Sequence, residues 1–124
     1  MIVFRRDVEV VGKTGIDATL TSGTVVPLGY IGIHRYGGSY EAFEVYARQR
    51  GTAGTPKAYW NIRIAGKPIF TSKQSVGELN ADKKFIPDAN GRYGAASAAR
   101  VELVMAASGA EGSTLDVAVL VRRI

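Results

Sequence analysis

Along most of the chain apolar and polar residues alternate one for one, the period that sends successive side chains to opposite faces of a β-strand. The last third does so most plainly. "RVELVMAAS" and "TLDVAVLVRRI" flank the short loop "GAEG" and read as a hairpin. In the second segment Leu115, Val117, Val119 and Val121 line one face, and Asp116, Ala118, Leu120 and Arg122 line the other. "YWNIRI" alternates in the same way, with Trp60, Ile62 and Ile64 directed to a core and Tyr59, Asn61 and Arg63 directed away. "AGKP" then makes a tight turn into "IFTSKQ", which predicts a hairpin with a short returning strand.

Less regular segments extend the pattern. "VFRRDVEVV" predicts a first strand with Val8 and Val10 facing inward, "GKTG" a turn, and "IDATLTS" a short second strand. "GTVVPLGYIGIHRY" predicts one or two strands, with Pro27 marking an edge or a bend. The paired glycines of "RYGGSY" predict a loop. "YEAFEVYARQR" fits two periods. As a helix it aligns Phe43, Tyr46, Ala47 and Arg50; as a strand it puts Phe43, Val45 and Ala47 on the core and Glu44, Tyr46 and Arg48 in water. The strand is preferred, because "YWNIRI" admits no helical alternative and "GTAGTPKA" looks like a flexible hairpin connection between them. "VGELNADKKFIPDANGRYGAAS" is the longest irregular stretch, where Pro87, Asn90 and Gly91 oppose a regular strand. Loops of that length are commonly functional or packed on a neighbour.

Short apolar segments punctuated by 15 glycines, with no internal repeat, predict an all-β chain. The expectation is one antiparallel β-sandwich over residues 1–124, jelly-roll-like and with long loops. Another sandwich or a partly open barrel fits the same pattern. No apolar run approaches the roughly 20 residues that span a bilayer, and "MIVFRRDVEVVG" lacks the order of a signal peptide. Membrane insertion is therefore not expected. The absence of cysteine excludes disulfides, thiolate nucleophiles and Cys-ligated metals, leaving core burial, strand pairing and subunit contacts to stabilise the chain.

Sixteen Lys and Arg against eleven Asp and Glu give a formal charge of +5, which favours anionic partners. The tight clusters are Arg5-Arg6, Lys83-Lys84 and Arg122-Arg123, each shorter than the basic runs of nucleic-acid-binding arms.

Catalytic and metal motifs do not assemble. "VGKTG" has the Gly-Lys-Thr of a phosphate-binding loop, but Asp7 stands where the motif needs its first glycine. An acidic side chain there would repel phosphate. His34 is the one histidine, without a G-x-S-x-G elbow or a second ligand beside it in sequence. Asp82 and Asp88, with Asn80 and Asn90, lack the spaced oxygen ligands of a calcium loop, and Lys83 and Lys84 would oppose a cation. Glu9, Glu44, Glu102 and Asp116 fall on outward strand positions, and nothing pairs any two of them as acid and base. The expectation is a non-enzymatic protein with no cofactor and no metal.

One constellation remains. Tyr46, Arg48, Arg50, Tyr59 and Arg63 share the outward parity of two segments expected to be adjacent. Tyr and Arg together make cross-strand pairs on ordinary sheets, are enriched at subunit interfaces, and form stacking platforms for single-stranded nucleic acid or sugars. These five residues are the interface or ligand-facing candidates, with a nucleic-acid-binding β-barrel as the alternative function and a carbohydrate-binding module as a third.

Taken together, "FEVYARQR", "YWNIRIAGKPIF", "GELNADKKFIP", "RVELVMAAS" and "LDVAVLVRR" resemble the small single-sandwich proteins of bacteriophage and related virus particles. These are capsid decoration or cement proteins, vertex proteins and minor capsid jelly rolls. The resemblance is one of style across most of the chain and carries over no site residue. It implies a structural protein of the virion, assembled in the host cytoplasm as a homo-oligomer and docked on other virion proteins. It also implies that the first and last strands are neighbours, bringing Asp7 and Glu9 near Arg122 and Arg123.

Overall fold

The computed structural model describes residues 8–31, 39–52, 56–89, 92–94 and 99–123; among them every regular element is a β-strand. In chain order these are β1 (Val8–Asp17), β2 (Val25–Ile31), β3 (Ser39–Arg50), β4 (Tyr59–Ile64), β5 (Lys67–Pro68), β6 (Lys83–Phe85), β7 (Arg92–Gly94), β8 (Ala99–Ala107) and β9 (Thr114–Arg123). They form two antiparallel sheets, one ordered β1-β9-β3-β6 with β7 also on β3, the other ordered β2-β8-β4-β5. The chain changes sheet at every connection except β4–β5 and β6–β7. Two interleaved sheets, of five and four strands, with the first and last strands paired are the connectivity of a jelly roll. The expected fold class is therefore found, and its open alternatives fall away.

The core lies between the sheets. Leu115, Val117, Val119 and Val121 from β9 and Trp60, Ile62 and Ile64 from β4 are buried, as their alternation predicts. Trp60, fully buried, meets Phe70 and Phe85 edge-to-face with ring centroids 6.3 and 5.1 Å away. Because Phe85 lies on β6 and Trp60 on β4, this aromatic cluster joins the two sheets.

The β4–β5 hairpin forms, but its turn is Ala65-Gly66 alone and its returning strand is Lys67–Pro68 rather than "IFTSKQ": Ala65 and Gly66 both take positive φ (51° and 82°), the two-residue turn whose twist matches antiparallel strands. Pro27 lies on edge strand β2, beside a register shift that ends at Gly29.

Several expectations are corrected. β8 and β9 do not form a hairpin across "GAEG"; β8 pairs with β2 and β4, and β9 with β1 and β3. "GTAGTPKA" is likewise a crossover between sheets, since β3 and β4 are not partners. "GKTG" is no turn but part of β1, where an extra residue between Lys13 and Ile16 makes a bulge. Gly15 supplies the positive φ (69°) there, and its N–H donates to Asp116 Oδ1 at 2.9 Å. "IDATLTS" is not a second strand. Asp17 ends β1 by accepting hydrogen bonds from Thr19 N and Oγ1 at 2.9 and 2.6 Å.

The parity of β1 is opposite to the expectation. Glu9 and Val11 stand across from core residues Val121 and Val119, whereas Val8 and Val10 stand across from outward Arg122 and Leu120. In β3 a bulge between Ala42 and Glu44 turns Phe43 outward, against the Arg122 guanidinium at 4.8 Å, and buries Tyr40, Ala42, Val45, Ala47 and Gln49. The long irregular stretch contributes two three-residue strands, β6 and β7, that both pair with β3.

Candidate interaction surfaces

The topology divides the five Tyr/Arg candidates between two faces. Tyr46, Arg48 and Arg50 lie on β3, on the outer side of the β1-β9-β3-β6 sheet; Tyr59 and Arg63 lie on β4, in the other sheet. The expected single face is thus corrected: adjacency in sequence is not adjacency here, because a jelly roll sends consecutive strands to opposite layers.

On the β3 side the charges are engaged with one another. Arg48 Nε meets Asp82 Oδ1 at 2.8 Å and Arg50 Nε meets Asp116 Oδ2 at 2.8 Å. Asp116 is held by two strands at once, since its other oxygen accepts the Gly15 N–H of the β1 bulge. Lys84 Nζ lies 3.4 Å from Glu44 and Arg122 lies 3.5 Å from Glu41. Tyr46 is partly exposed and its hydroxyl donates to Glu44 at 3.4 Å. Between these pairs opens a groove of about 260 Å³, lined by Thr14, Tyr46, Arg48, Asp82, Asp116 and Ala118. Ala118 lines its floor, and the residue facing Ala118 on β1 is Gly12, which adds no side chain beside it. Gly12 has no alternative: a Cβ there would stand 2.4 Å from the Val117 carbonyl oxygen.

On the β4 side the balance differs. Arg63 and Arg100 both approach the single carboxylate of Glu102, at 3.4 and 3.9 Å. Arg100 also stacks near Tyr30, 5.9 Å from the ring centroid, and donates to its hydroxyl at 3.5 Å. That hydrogen bond, followed by the charge interactions with Tyr30 and Glu102, raises the pKa of the Arg100 guanidinium above its ordinary value. Tyr59 is partly exposed, with the Lys73 ammonium 5.0 Å from its ring. Tyr30 and Arg100 were not apparent as a pair in the sequence, because only the β2–β8 register places them opposite one another.

Other candidates separate. His34, Asp7 and Asn90 lie outside the described residues. Asp82 is committed to Arg48, while Asp88 accepts from Thr71 N and Oγ1 at 2.9 and 2.8 Å. Glu44, Glu102 and Asp116 lie on outer faces, but Glu9 occupies the inward parity of β1. Among the described residues no three His, Cys, Asp or Glu side chains gather as metal ligands, and no helix is long and apolar enough to cross a membrane. Phosphate bound at Arg48, Arg50 or Arg63 would have to compete with a carboxylate already in place.

No family model matches the chain, and no curated protein matches it. Among solved structures it is similar to a chain in the capsid of Ralstonia phage GP4. The match covers 100% of this chain and 89% of that one, with a TM-score of 0.67 and 14% sequence identity. At that identity the likeness is one of fold, and it spans both sheets of the jelly roll.

Proposed function

We propose that this protein is a structural component of a bacteriophage particle, acting without catalysis through self-assembly and docking on a protein shell. The observation that carries the reading is the end-to-end structural likeness to a chain from a phage capsid, on a fold that viral capsids use repeatedly. Within the particle the reading assigns it a decoration, cement or vertex position, in which the outer faces of the two sheets meet neighbouring proteins. Its partners are other virion proteins and further copies of itself, assembled in the host cytoplasm, and its place is the finished virion. The surplus charge of +5 would hasten encounter with an acidic shell, while apolar contacts would hold the complex.

The test is cosedimentation of the purified chain with shells of its own phage. Binding that persists at moderate salt and saturates at a fixed ratio to the shell protein is expected. A chain that stays in the supernatant at every concentration, with shells intact, would rule the reading out.

A further inference from the structure

We propose that the outer face of β1, β9 and β3 is the surface on which a second copy of this chain packs, in a two-fold arrangement. The proposal deepens the assembly reading above by naming the surface, but its test is independent of any shell.

The first argument is electrostatic. A chain of formal charge +5 repels its own copies. On this face, however, Arg48, Arg50, Lys84 and Arg122 are matched one for one by Asp82, Asp116, Glu44 and Glu41. Copies can approach there without uncompensated charge facing charge. The outer face of the other sheet offers two guanidinium groups to one carboxylate, and two such faces would oppose each other. An acidic partner would choose that second face; another copy of this chain would choose the first.

The second argument is shape. A two-fold contact uses the same patch twice, so projections and recesses must both lie on it. Val10 projects from β1, 65% exposed, and Leu120 stands beside it on β9. One outward step along both strands lies the Gly12–Ala118 pair, and from Ala118 the groove opens beside Tyr46. Val10 of one copy enters the groove of the other against Ala118 and Tyr46, and the symmetry axis repeats the contact. Arg48, Asp82 and Asp116 line the same groove, and with the other ion pairs they give these apolar contacts a polar edge.

Size sets the expected strength. Ten residues of strand span about 33 Å and three strands about 14 Å, so each copy contributes about 460 Å² of flat area, about 900 Å² in total. That is the low end of specific interfaces, which predicts a reversible dimer dissociating in the micromolar range.

Sedimentation of the full chain from about 1 to about 500 μM, bracketing that range, tests this. A monomer–dimer equilibrium is expected, changing less than about threefold between about 0.1 and about 0.5 M salt because the charges are compensated within each copy. Val10→Glu and Ala118→Gln should each weaken the dimer at least about tenfold, the loss given by one buried apolar contact. Arg100→Glu, on the opposite sheet, should leave it unchanged. Circular dichroism melts confirm that each variant is folded, and both positions face away from the core. A chain monomeric throughout, a folded Val10→Glu and a folded Ala118→Gln that dimerise like the parent, or a dimer lost in Arg100→Glu would each overturn the proposal. A dimer that binds no shell would support it while removing the docking reading.

Discussion

The Gln49 side-chain amide donates to the Ser113 hydroxyl at 3.2 Å, and that hydroxyl donates in turn to the Ala110 carbonyl at 2.6 Å. Both residues are buried, the two polar side chains in an otherwise apolar interior of the described residues. Gln49 also donates to the Pro56 carbonyl at 3.3 Å and accepts the Ala58 N–H at 2.9 Å. It therefore ties the β3–β4 crossover to the β8–β9 crossover at one end of the sandwich. Gly109 permits this closeness, since a Cβ there would stand 2.8 Å from the Gln49 amide nitrogen. Crossovers that change sheet have no ladder to hold their backbone groups, and a buried side chain that replaces the ladder is one solution.

Gln49→Leu keeps the volume and removes the polar group, leaving the buried Ala58 N–H without its partner, while the Pro56 carbonyl keeps the Ala110 N–H at 3.0 Å. A loss of about 1–3 kcal/mol is expected from the one buried group left unsatisfied. Ser113→Ala, which removes one hydroxyl, should cost about 1 kcal/mol. Urea unfolding of the two variants beside the parent measures the difference. Equal stability of Gln49→Leu and the parent would show that the crossovers are held elsewhere.

Two glycines of β1 make opposite demands. Gly12 has an ordinary backbone conformation but no room, whereas Gly15 has open space and a left-handed φ of 69°. Gly15→Ala should cost about 1 kcal/mol, the penalty of a Cβ in that region. Gly12→Ala pushes a Cβ into the Val117 carbonyl, which is backbone and cannot rotate aside. A cost above about 2 kcal/mol is expected, as for other overpacking that moves main chain. Thermal melts should rank Gly12→Ala below Gly15→Ala, and the reverse order would place the strain at the bulge.

These particulars also mark what the sequence could disclose. Alternation is a local property, so the strands and most of their buried faces, from Trp60 to Val121, were legible. Pairing is not local. "GAEG" has every mark of a hairpin loop, yet the strands it joins enter different sheets. Bulges erase parity as well, since one extra residue near Gly15 or Phe43 reverses every side chain beyond it. In β1 the bulge lets Val11 and Ile16, an odd number of residues apart, both face the core, and with Val11 inward Val10 stands outside and Glu9 on the inward parity. The separation of Tyr46 from Tyr59 is the same lesson at the level of function: strands successive in the chain face away from each other across the core.

The Asp88 carboxylate receives the Thr71 backbone and hydroxyl hydrogen bonds, and these hold its pKa below the ordinary aspartate value of 3.8. A folded-state pKa below the unfolded one means that the contribution to stability is complete above the unfolded value and is lost as pH falls through the folded one. Titration of the Asp88 side-chain carbon by NMR should give a midpoint below that of an aspartate in the urea-unfolded chain. In Asp88→Asn the acid side of the stability profile should flatten by the share of this group. A midpoint at or above the unfolded value would mean that the loop is not closed by Thr71 in solution.

The turn between β4 and β5 offers the one place where stability should rise. Ala65 holds a φ of 51°, a left-handed conformation that costs a residue with a Cβ about 1–2 kcal/mol unless its side chain can compensate. Asn is the residue best suited to the first position of such a turn, because its amide bonds locally to the backbone. The Ala65 N–H donates to the Arg100 carbonyl at 3.0 Å, and a side-chain substitution leaves that bond in place. Ala65 is exposed, so nothing in the core resists the larger group. Ala65→Asn is therefore expected to gain about 0.5–1 kcal/mol, and Ala65→Val, with a branched Cβ in the same conformation, to lose at least about 1 kcal/mol. Chemical unfolding of the pair decides it: a turn that tolerates valine as well as asparagine would not be the two-residue, left-handed turn that sets the register of Ile64 against Lys67.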